Sequence, residues 1–429
     1  MSSAPFVVIA EVRVRPEDFA TFLPLARRHA LNCRTNEPGC LQFDVTLPAG
    51  TSDTVVFYEV YDSEAAFENH KGSPHLAWFR GETAAMVVDR QLRLLSRIDD
   101  GRRRDGGRVL IAARYLNDRR HLLAGLEAAG FQLTFNDTDR TWNEAELLEV
   151  LPGHVATLAG SEPYNSRVLA AAPDLRVIAR LGVGFDQVDL AAATRNHTAV
   201  GMAFGTNHEA VADHAFALMA ALATQLGAYD KDIRGGAWTT RYHGRLHGTT
   251  VGLVGFGRIG RAVAKRCKGF AMDVLVHDPV MDADTVARLG CRLTGLDELM
   301  RLADYVSLHC PLNAETHKMI DGRRLALMKP GAFLVNTARG PIVDQEALIE
   351  ALRTRRLAGA GLDVLAVEPP GRSPLLELDN VILTPHVAGL SEWAIESMTA
   401  RCIETIMAVC RSEDPGGGLL LNPEVMNKR

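Results

Sequence analysis

The 429-residue sequence lacks any Cys-x-x-Cys pair, carries only 6% aromatic residues and has a formal net charge of just -5. Its seven cysteines (Cys33, Cys40, Cys267, Cys291, Cys310, Cys402 and Cys410) are odd in number and scattered. That spacing argues against a disulfide framework or a zinc site and fits a reducing compartment. The mild charge gives no electrostatic footprint for nucleic acid or an anionic membrane. The opening "MSSAPFVVIAEVRV" has no basic stretch followed by a long apolar core, so no signal peptide is expected. The longest apolar helical stretch, around Ala215 to Ala223, is about half of what spans a bilayer. A cytoplasmic chain with no metal, no membrane partner and no nucleic-acid partner is the expectation.

What is present is an ordinary globular composition, 47% hydrophobic and 23% charged, long enough for two or three domains. "DDGRRRDGGR" (Asp99 to Arg108) is polar and Gly-rich with no apolar period, and reads as a linker. Ahead of it, "FVVIAEVRV", a helical stretch to Arg34, "CLQFDVTL", "TVVFYEVY", helical pieces on either side of Ser73-Pro74 and "RQLRLLSRI" follow the order β-α-β-β-α-β. That is a small α+β ferredoxin-like sandwich, and its open sheet face predicts dimerisation. Behind the linker, strands and helices alternate, as in an α/β fold with a largely parallel sheet. One series runs from "RVLIAARY" to "LRVIARLG" and another from "TTVGLVGFG" to "NVILTPH". A long apolar helix, His208 to Leu226, is expected to carry the chain between the two lobes, and a helical tail to Val409 to return to the first. The expected boundaries are 1–98 for the front domain, 99–107 for the linker, 108–204 and 387–429 for a substrate domain, and 205–386 for a dinucleotide domain.

"VGLVGFGRIGRAVAKR" contains Gly255-x-Gly257-x-x-Gly260 between a strand and an amphipathic helix that begins with Arg258 and Ile259. In that context the first glycine makes the turn, the second admits a pyrophosphate and the third packs helix on strand. The next strand ends in Asp278, 18 residues beyond Gly260. A carboxylate there accepts both ribose hydroxyls and repels a 2′-phosphate, which predicts NAD rather than NADP.

Three ionisable residues follow three consecutive predicted strands: Arg339 in "VNTARGPIVD", Glu368 in "GLDVLAVEPP" and His386 in "TPHVAG". Each alone is an ordinary surface or turn residue; at three neighbouring strand ends they form an acid–base set suited to hydride transfer to a carbonyl. A carboxylate beside an imidazole favours its protonated form, and an arginine stays charged to hold an anion.

Together with "VIARLGVGFDQVDL", "GTNHEAVADHAFAL" and "LHCPLNAET", these segments make residues 108 to about 423 resemble the D-isomer-specific 2-hydroxyacid dehydrogenases, nearest the phosphoglycerate-dehydrogenase-like branch. The resemblance implies a doubly wound Rossmann NAD domain plus a flavodoxin-like substrate domain. It implies that Arg339 binds the substrate carboxylate and carbonyl oxygen, and that Glu368 pairs with His386, the acid–base residue. Backbone amides of Gly182, Val183 and Gly184 would meet the carboxylate. Asp363 would contact the nicotinamide carboxamide, and His309, Cys310, Pro311, Thr337 and Ala338 would line the cofactor. Arg180 would meet a second anionic group. A basic residue that some phosphoglycerate-type relatives carry in the preceding strand is missing from "LAGSEPYN", so glyoxylate, hydroxypyruvate and specialised 2-oxo acids stand beside 3-phosphoglycerate.

Residues 5 to 98, through "NEPGCLQFDV" and "VFYEVYDSEAAFENHKGSPHLAWF", resemble the antibiotic-biosynthesis-monooxygenase-like proteins, dimeric α+β barrels that act without metal or cofactor. By position, Glu59, His70, His75 and Trp78 are the residues the resemblance singles out. Two readings stand: a dehydrogenase with a dimerisation module, or a bifunctional enzyme whose front unit oxidises or isomerises a small molecule. A nucleotide-sensing regulator without catalysis is a third, weighed against by the intact Arg339, Glu368 and His386 set. A homodimer or higher homo-oligomer is expected throughout.

Overall fold

The computed structural model describes residues 6–48, 50–96, 106–138 and 140–428. Most of the linker therefore lies outside the described residues. The chain divides into two compact units, residues 1–103 and 104–429.

The front unit is built on four antiparallel strands, β1 (Phe6–Val14), β2 (Cys40–Thr46), β3 (Thr54–Tyr61) and β4 (Val87–Ser96), in the order β2-β3-β1-β4. Alternation along β1 turns Val8, Ala10, Val12 and Val14 towards Phe22, Ala26 and Ala30 of the helix Phe19–Asn36. The Ser73-Pro74 break separates two helices, Glu64–Lys71 and Pro74–Thr83. Ser63 and Ser73 cap them, each hydroxyl accepting a backbone N–H of the first turn. Both edge strands keep exposed leucines: Leu41 on β2, Leu92 and Leu94 on β4.

The rear unit holds two parallel sheets. The first comprises β5 (Arg108–Ile111), β6 (Gln132–Phe135), β7 (Ala156–Ala159), β8 (Val177–Arg180) and β9 (Ala199–Met202), ordered β6-β5-β7-β8-β9. This is the flavodoxin-like order, and β7, β8 and β9 are buried at every residue, as helices on both faces demand. The second comprises β10 (Thr250–Val254), β11 (Asp273–His277), β12 (Arg292–Leu293), β13 (Tyr305–Leu308), β14 (Phe333–Asn336), β15 (Gly359–Leu362) and β16 (Val381–Leu383). Its order, β12-β11-β10-β13-β14-β15-β16, is doubly wound about β10 and β13.

Two expected elements differ in form. The crossing helix ends at Thr224, two residues early, because Gln225 adopts a left-handed conformation (φ 52°) and starts a second helix, Leu226–Arg234, bent by 63°. The stretch after β5, Arg114–Leu123, is two short 3-10 segments broken at Arg119 (φ -127°, ψ 32°), and it becomes α-helical only over Ala124–Ala128. The tail helix, Glu392–Cys410, does return to the first lobe, where the Cys402 thiol lies 3.3 Å from the Arg180 carbonyl. No single helix among the described residues is long and apolar enough to cross a membrane.

Candidate active site

The three glycines of the β10 turn have three different jobs. Gly255 has φ +96°, and a methyl group there would sit 2.7 Å from the backbone of His309 and Cys310. A methyl group on Gly260 would lie 2.3 Å from the Gly255 carbonyl oxygen, so the helix Arg258–Gly269 is seated directly on the turn. Nothing lies within 4 Å of where a Gly257 Cβ would be. Gly257 therefore opens onto free space at the helix N-terminus, beside the first-turn amides of Arg258 and Ile259, and a pyrophosphate fits that cradle.

Asp278, just past β11, accepts the Phe256 N–H at 2.7 Å and the Val280 N–H at 3.0 Å. Its remaining lone pairs suit ribose hydroxyls. The Thr337 hydroxyl and both ring nitrogens of His309 are buried without a protein partner, which is where a polar ligand is expected. Burial pushes His309 down to about 3, so its ring is neutral, and raises the Cys310 thiol to about 11. Ala338 is held by the turn described next, and Pro311 is exposed. This donor set fits a nicotinamide dinucleotide.

The catalytic candidates lie just past the carboxyl ends of β14, β15 and β16, which are neighbours in the sheet. Asn336 clamps the first of these turns, its side chain donating to the Arg339 carbonyl at 2.9 Å and accepting from the Ala338 N–H at 3.0 Å. His386 Nδ1 is 2.7 Å from Glu368 Oε2, while the Leu365 N–H donates to Oε1 at 2.9 Å. Burial works to raise the Glu368 carboxyl, but His386 and the Leu365 amide overcome it and hold the group below its usual value. His386 itself has φ 55°, unusual for a residue with a Cβ. Its N–H secures that geometry by donating to the Asp363 and Thr384 carbonyls at 2.8 and 3.0 Å.

Arg339 reaches across to the other lobe. Its Nε donates to Asp186 Oδ1 at 2.7 Å and its Nη1 to the Ala338 carbonyl at 2.7 Å. Burial tends to raise Asp186, yet the guanidinium keeps it ionised below the usual carboxylate value. A Cβ on Gly184 would fall 1.4 Å from Arg339 Nη2, so only glycine leaves room for this side chain.

Three of the residues that the resemblance singles out also make contacts within the chain. Arg180 is 6% exposed, and its Nε and Nη2 both donate to the Gly184 carbonyl at 3.1 and 3.0 Å. Its side chain thus holds the Gly182–Gly184 loop, and its Nη1 is buried without a partner. The Gly182 N–H donates to the Arg180 carbonyl at 2.9 Å, whereas the Val183 and Gly184 amides have no such backbone bond among the described residues. Asp363 is 2% exposed, and its carboxylate accepts the Thr384 hydroxyl at 2.6 Å and the Val387 and Ala388 amides, each at 2.9 Å. Those bonds anchor the turn that presents His386 and satisfy the buried carboxylate. His214, on the crossing helix, supports the same turn through Thr384 at 2.9 Å.

In the front unit, His70 and His75 converge on Glu37. Glu59 lies apart, accepting the Tyr61 hydroxyl at 2.9 Å, and burial raises its carboxyl to about 7. Trp78 packs at the core edge with the Arg28 guanidinium 4.7 Å over its ring.

Asp186, Asn336, His214, Cys33 and Glu37 escaped the sequence reading. Asp186 and Asn336 sit inside quoted segments, "GVGFDQVDL" and "VNTARG", but nothing in their spacing announces the residues they touch.

The profile described as D-isomer specific 2-hydroxyacid dehydrogenase, NAD binding domain, matches residues 216–388, and that described as Antibiotic biosynthesis monooxygenase matches residues 5–81. A glyoxylate reductase of Korarchaeum cryptofilum is 41% identical over 276 residues, which is 63% of this chain and 82% of that one. A D-3-phosphoglycerate dehydrogenase of Mycobacterium tuberculosis is 39% identical over 289 residues, 65% of this chain but 54% of the relative. The crystal structure of D-lactate dehydrogenase from Aquifex aeolicus with NAD and lactic acid superposes with a TM-score of 0.66 at 28% identity, covering 73% of this chain and 98% of that one. With its glycine cradle and this extent of likeness, the chain belongs to the D-isomer-specific 2-hydroxyacid dehydrogenases, NAD-dependent oxidoreductases acting on CH–OH groups, and carries an antibiotic-biosynthesis-monooxygenase domain in front.

Proposed function

We propose that the rear unit reduces a small, unphosphorylated 2-oxo acid of the glyoxylate class, with Arg339, Glu368 and His386 as its catalytic residues. The observation that carries this reading is the 2.7 Å bond between His386 Nδ1 and Glu368 Oε2, at the strand end beside that of Arg339. With Nδ1 committed to the carboxylate, the ring is oriented and Nε2 is left to deliver the proton. NADH supplies the hydride when bound. Arg339 holds the substrate carboxylate and polarises the carbonyl as negative charge grows on its oxygen. The Val183 and Gly184 amides complete the carboxylate site, while Arg180 and Asp363 act as positioning residues for the Gly182–Gly184 loop and the His386 turn.

The size preference follows from Arg180. Its Nε and Nη2 are taken by the Gly184 carbonyl, which leaves the buried Nη1 to meet one small acceptor of the substrate and no free guanidinium edge for the paired contact a phosphate takes. The glyoxylate reductase relative supports the same choice.

The test is NADH oxidation against glyoxylate, hydroxypyruvate, pyruvate and 3-phosphohydroxypyruvate. Glyoxylate or hydroxypyruvate should give the highest kcat/KM; preference for the phosphorylated acid would overturn the size argument. His386→Ala should lower kcat by roughly 100- to 10,000-fold, the usual worth of a positioned acid–base group, while NADH still quenches or enhances fluorescence as in the parent. Undiminished turnover would remove His386 from the mechanism.

A further inference from the structure

Four donor atoms meet in the interior of the front unit, drawn from three helices. Cys33 lies in the last turn of the helix Phe19–Asn36 and Glu37 caps its end, so the two sit one turn apart on one side. His70 comes from the last turn of Glu64–Lys71 and His75 from the first turn of Pro74–Thr83; the Gly72-Ser73 corner brings them together. Cys33 Sγ is 3.8 Å from His70 Nδ1, and that nitrogen is 2.9 Å from Glu37 Oε1. His75 Nε2 contacts the same Glu37 oxygen. All four donor atoms lie within 4.8 Å of one another. Tetrahedral coordination with bonds of about 2.0–2.3 Å separates its ligands by roughly 3.3–3.8 Å, so the two Glu37–histidine contacts would open and the widest separations close, each by about 1 Å or less, to reach that geometry.

We propose that the front unit binds one divalent transition-metal ion, of zinc-like softness, through Cys33, Glu37, His70 and His75. The donor chemistry selects that class: a thiolate and two imidazoles favour zinc, cobalt or ferrous iron over magnesium or calcium. Charge agrees as well. One thiolate and one carboxylate neutralise a doubly charged cation, so the interior would hold no net charge. Cys33 and His70 are buried, whereas Glu37 and His75 keep part of their side chains accessible, which gives the ion a way in. Four protein ligands close the coordination shell, so the ion ties the end of the long helix to the two-helix corner and leaves no position for a substrate. This departs from the metal-free behaviour that the resemblance of the front unit implies. It also departs from the expectation that a sequence without Cys-x-x-Cys has no zinc site, because here the ligands come as two short pairs, Cys33 with Glu37 and His70 with His75, 33 residues apart and with only one cysteine among the ligands.

The experiment is cobalt titration of the untagged full chain, stripped with chelator under reducing conditions. Expected is saturation at one equivalent per chain, with the visible bands of tetrahedral cobalt and a near-ultraviolet thiolate-to-cobalt charge-transfer band, all lost on adding zinc. Cys33→Ser should abolish the charge-transfer band, whereas Cys40→Ser should keep it. His75→Ala should weaken binding by more than about 100-fold, beyond the cost of losing an outer-shell partner. Absence of stoichiometric binding in the parent chain would show that the cluster is a hydrogen-bonded Glu–His–His set only. A charge-transfer band surviving in Cys33→Ser would place the ion elsewhere. Either result overturns the proposal, and neither depends on the His75 variant folding.

Discussion

Gly184 and Arg339 compete for the same space, and the glycine concedes it. A Cβ at residue 184 would fall 1.4 Å from Arg339 Nη2, but the obstacle is the end of a flexible side chain rather than backbone. Gly184→Ala should therefore fold normally and displace the guanidinium. We expect kcat/KM for the oxo acid to fall about 100-fold or more, as misplacement of an anchoring group by an ångström does, with NADH affinity unchanged. Steady-state kinetics beside NADH fluorescence titration separates the two, and loss of NADH binding would count against it. At this scale the sequence was only partly legible. Arg339, Glu368 and His386 stood out because each ionisable group follows a strand end. Asp186, Arg180 and Asp363 show the limit: which atoms a charged side chain meets depends on loops folding back over distances that spacing does not encode.

The β10 turn and its helix offer a test within one element, because its glycines differ in what surrounds them. Gly257→Ala adds a methyl group into open space, so thermal stability should stay within about 0.5 kcal/mol while NADH binds roughly tenfold more weakly, a change of about 1.4 kcal/mol. Gly255→Ala combines a positive φ with backbone atoms at 2.7 Å and should lower the melting temperature markedly. Calorimetry paired with NADH titration checks both, and equal destabilisation by the two changes would contradict the division of labour. The fingerprint was readable because it is local, contained in strand, turn and first helical turn. The crossing helix was less so: its pattern of apolar residues runs past Thr224, and only the left-handed turn at Gln225, fixed in part by a side-chain bond to the Tyr242 carbonyl, ends it.

For the molecule as a whole, alternation of strands and helices was enough to anticipate two parallel sheets, and period-two alternation an antiparallel one in front. Partners were less legible, since association depends on which surfaces stay uncovered after folding. Leu41, Leu92 and Leu94 on the edge strands of the front sheet are about half exposed, and Trp238 and Tyr242 in the rear unit are 91% and 101% exposed. Apolar groups left out in this way mark contact surfaces. We expect sedimentation equilibrium to give a homodimer or larger assembly and Leu92→Glu with Leu94→Glu to weaken it; a single-chain mass for the parent at micromolar concentration would refute this. The Arg339–Asp186 pair joins the two lobes of the rear unit, and it has a consequence for selectivity. On the role proposed for Arg339, Asp186 is a counter-anion already in the cleft, a built-in decoy for the guanidinium. An entering monocarboxylate such as acetate only exchanges like for like, whereas a 2-oxo acid brings a second acceptor oxygen next to the first. Discrimination between them then rests on geometry and not on charge.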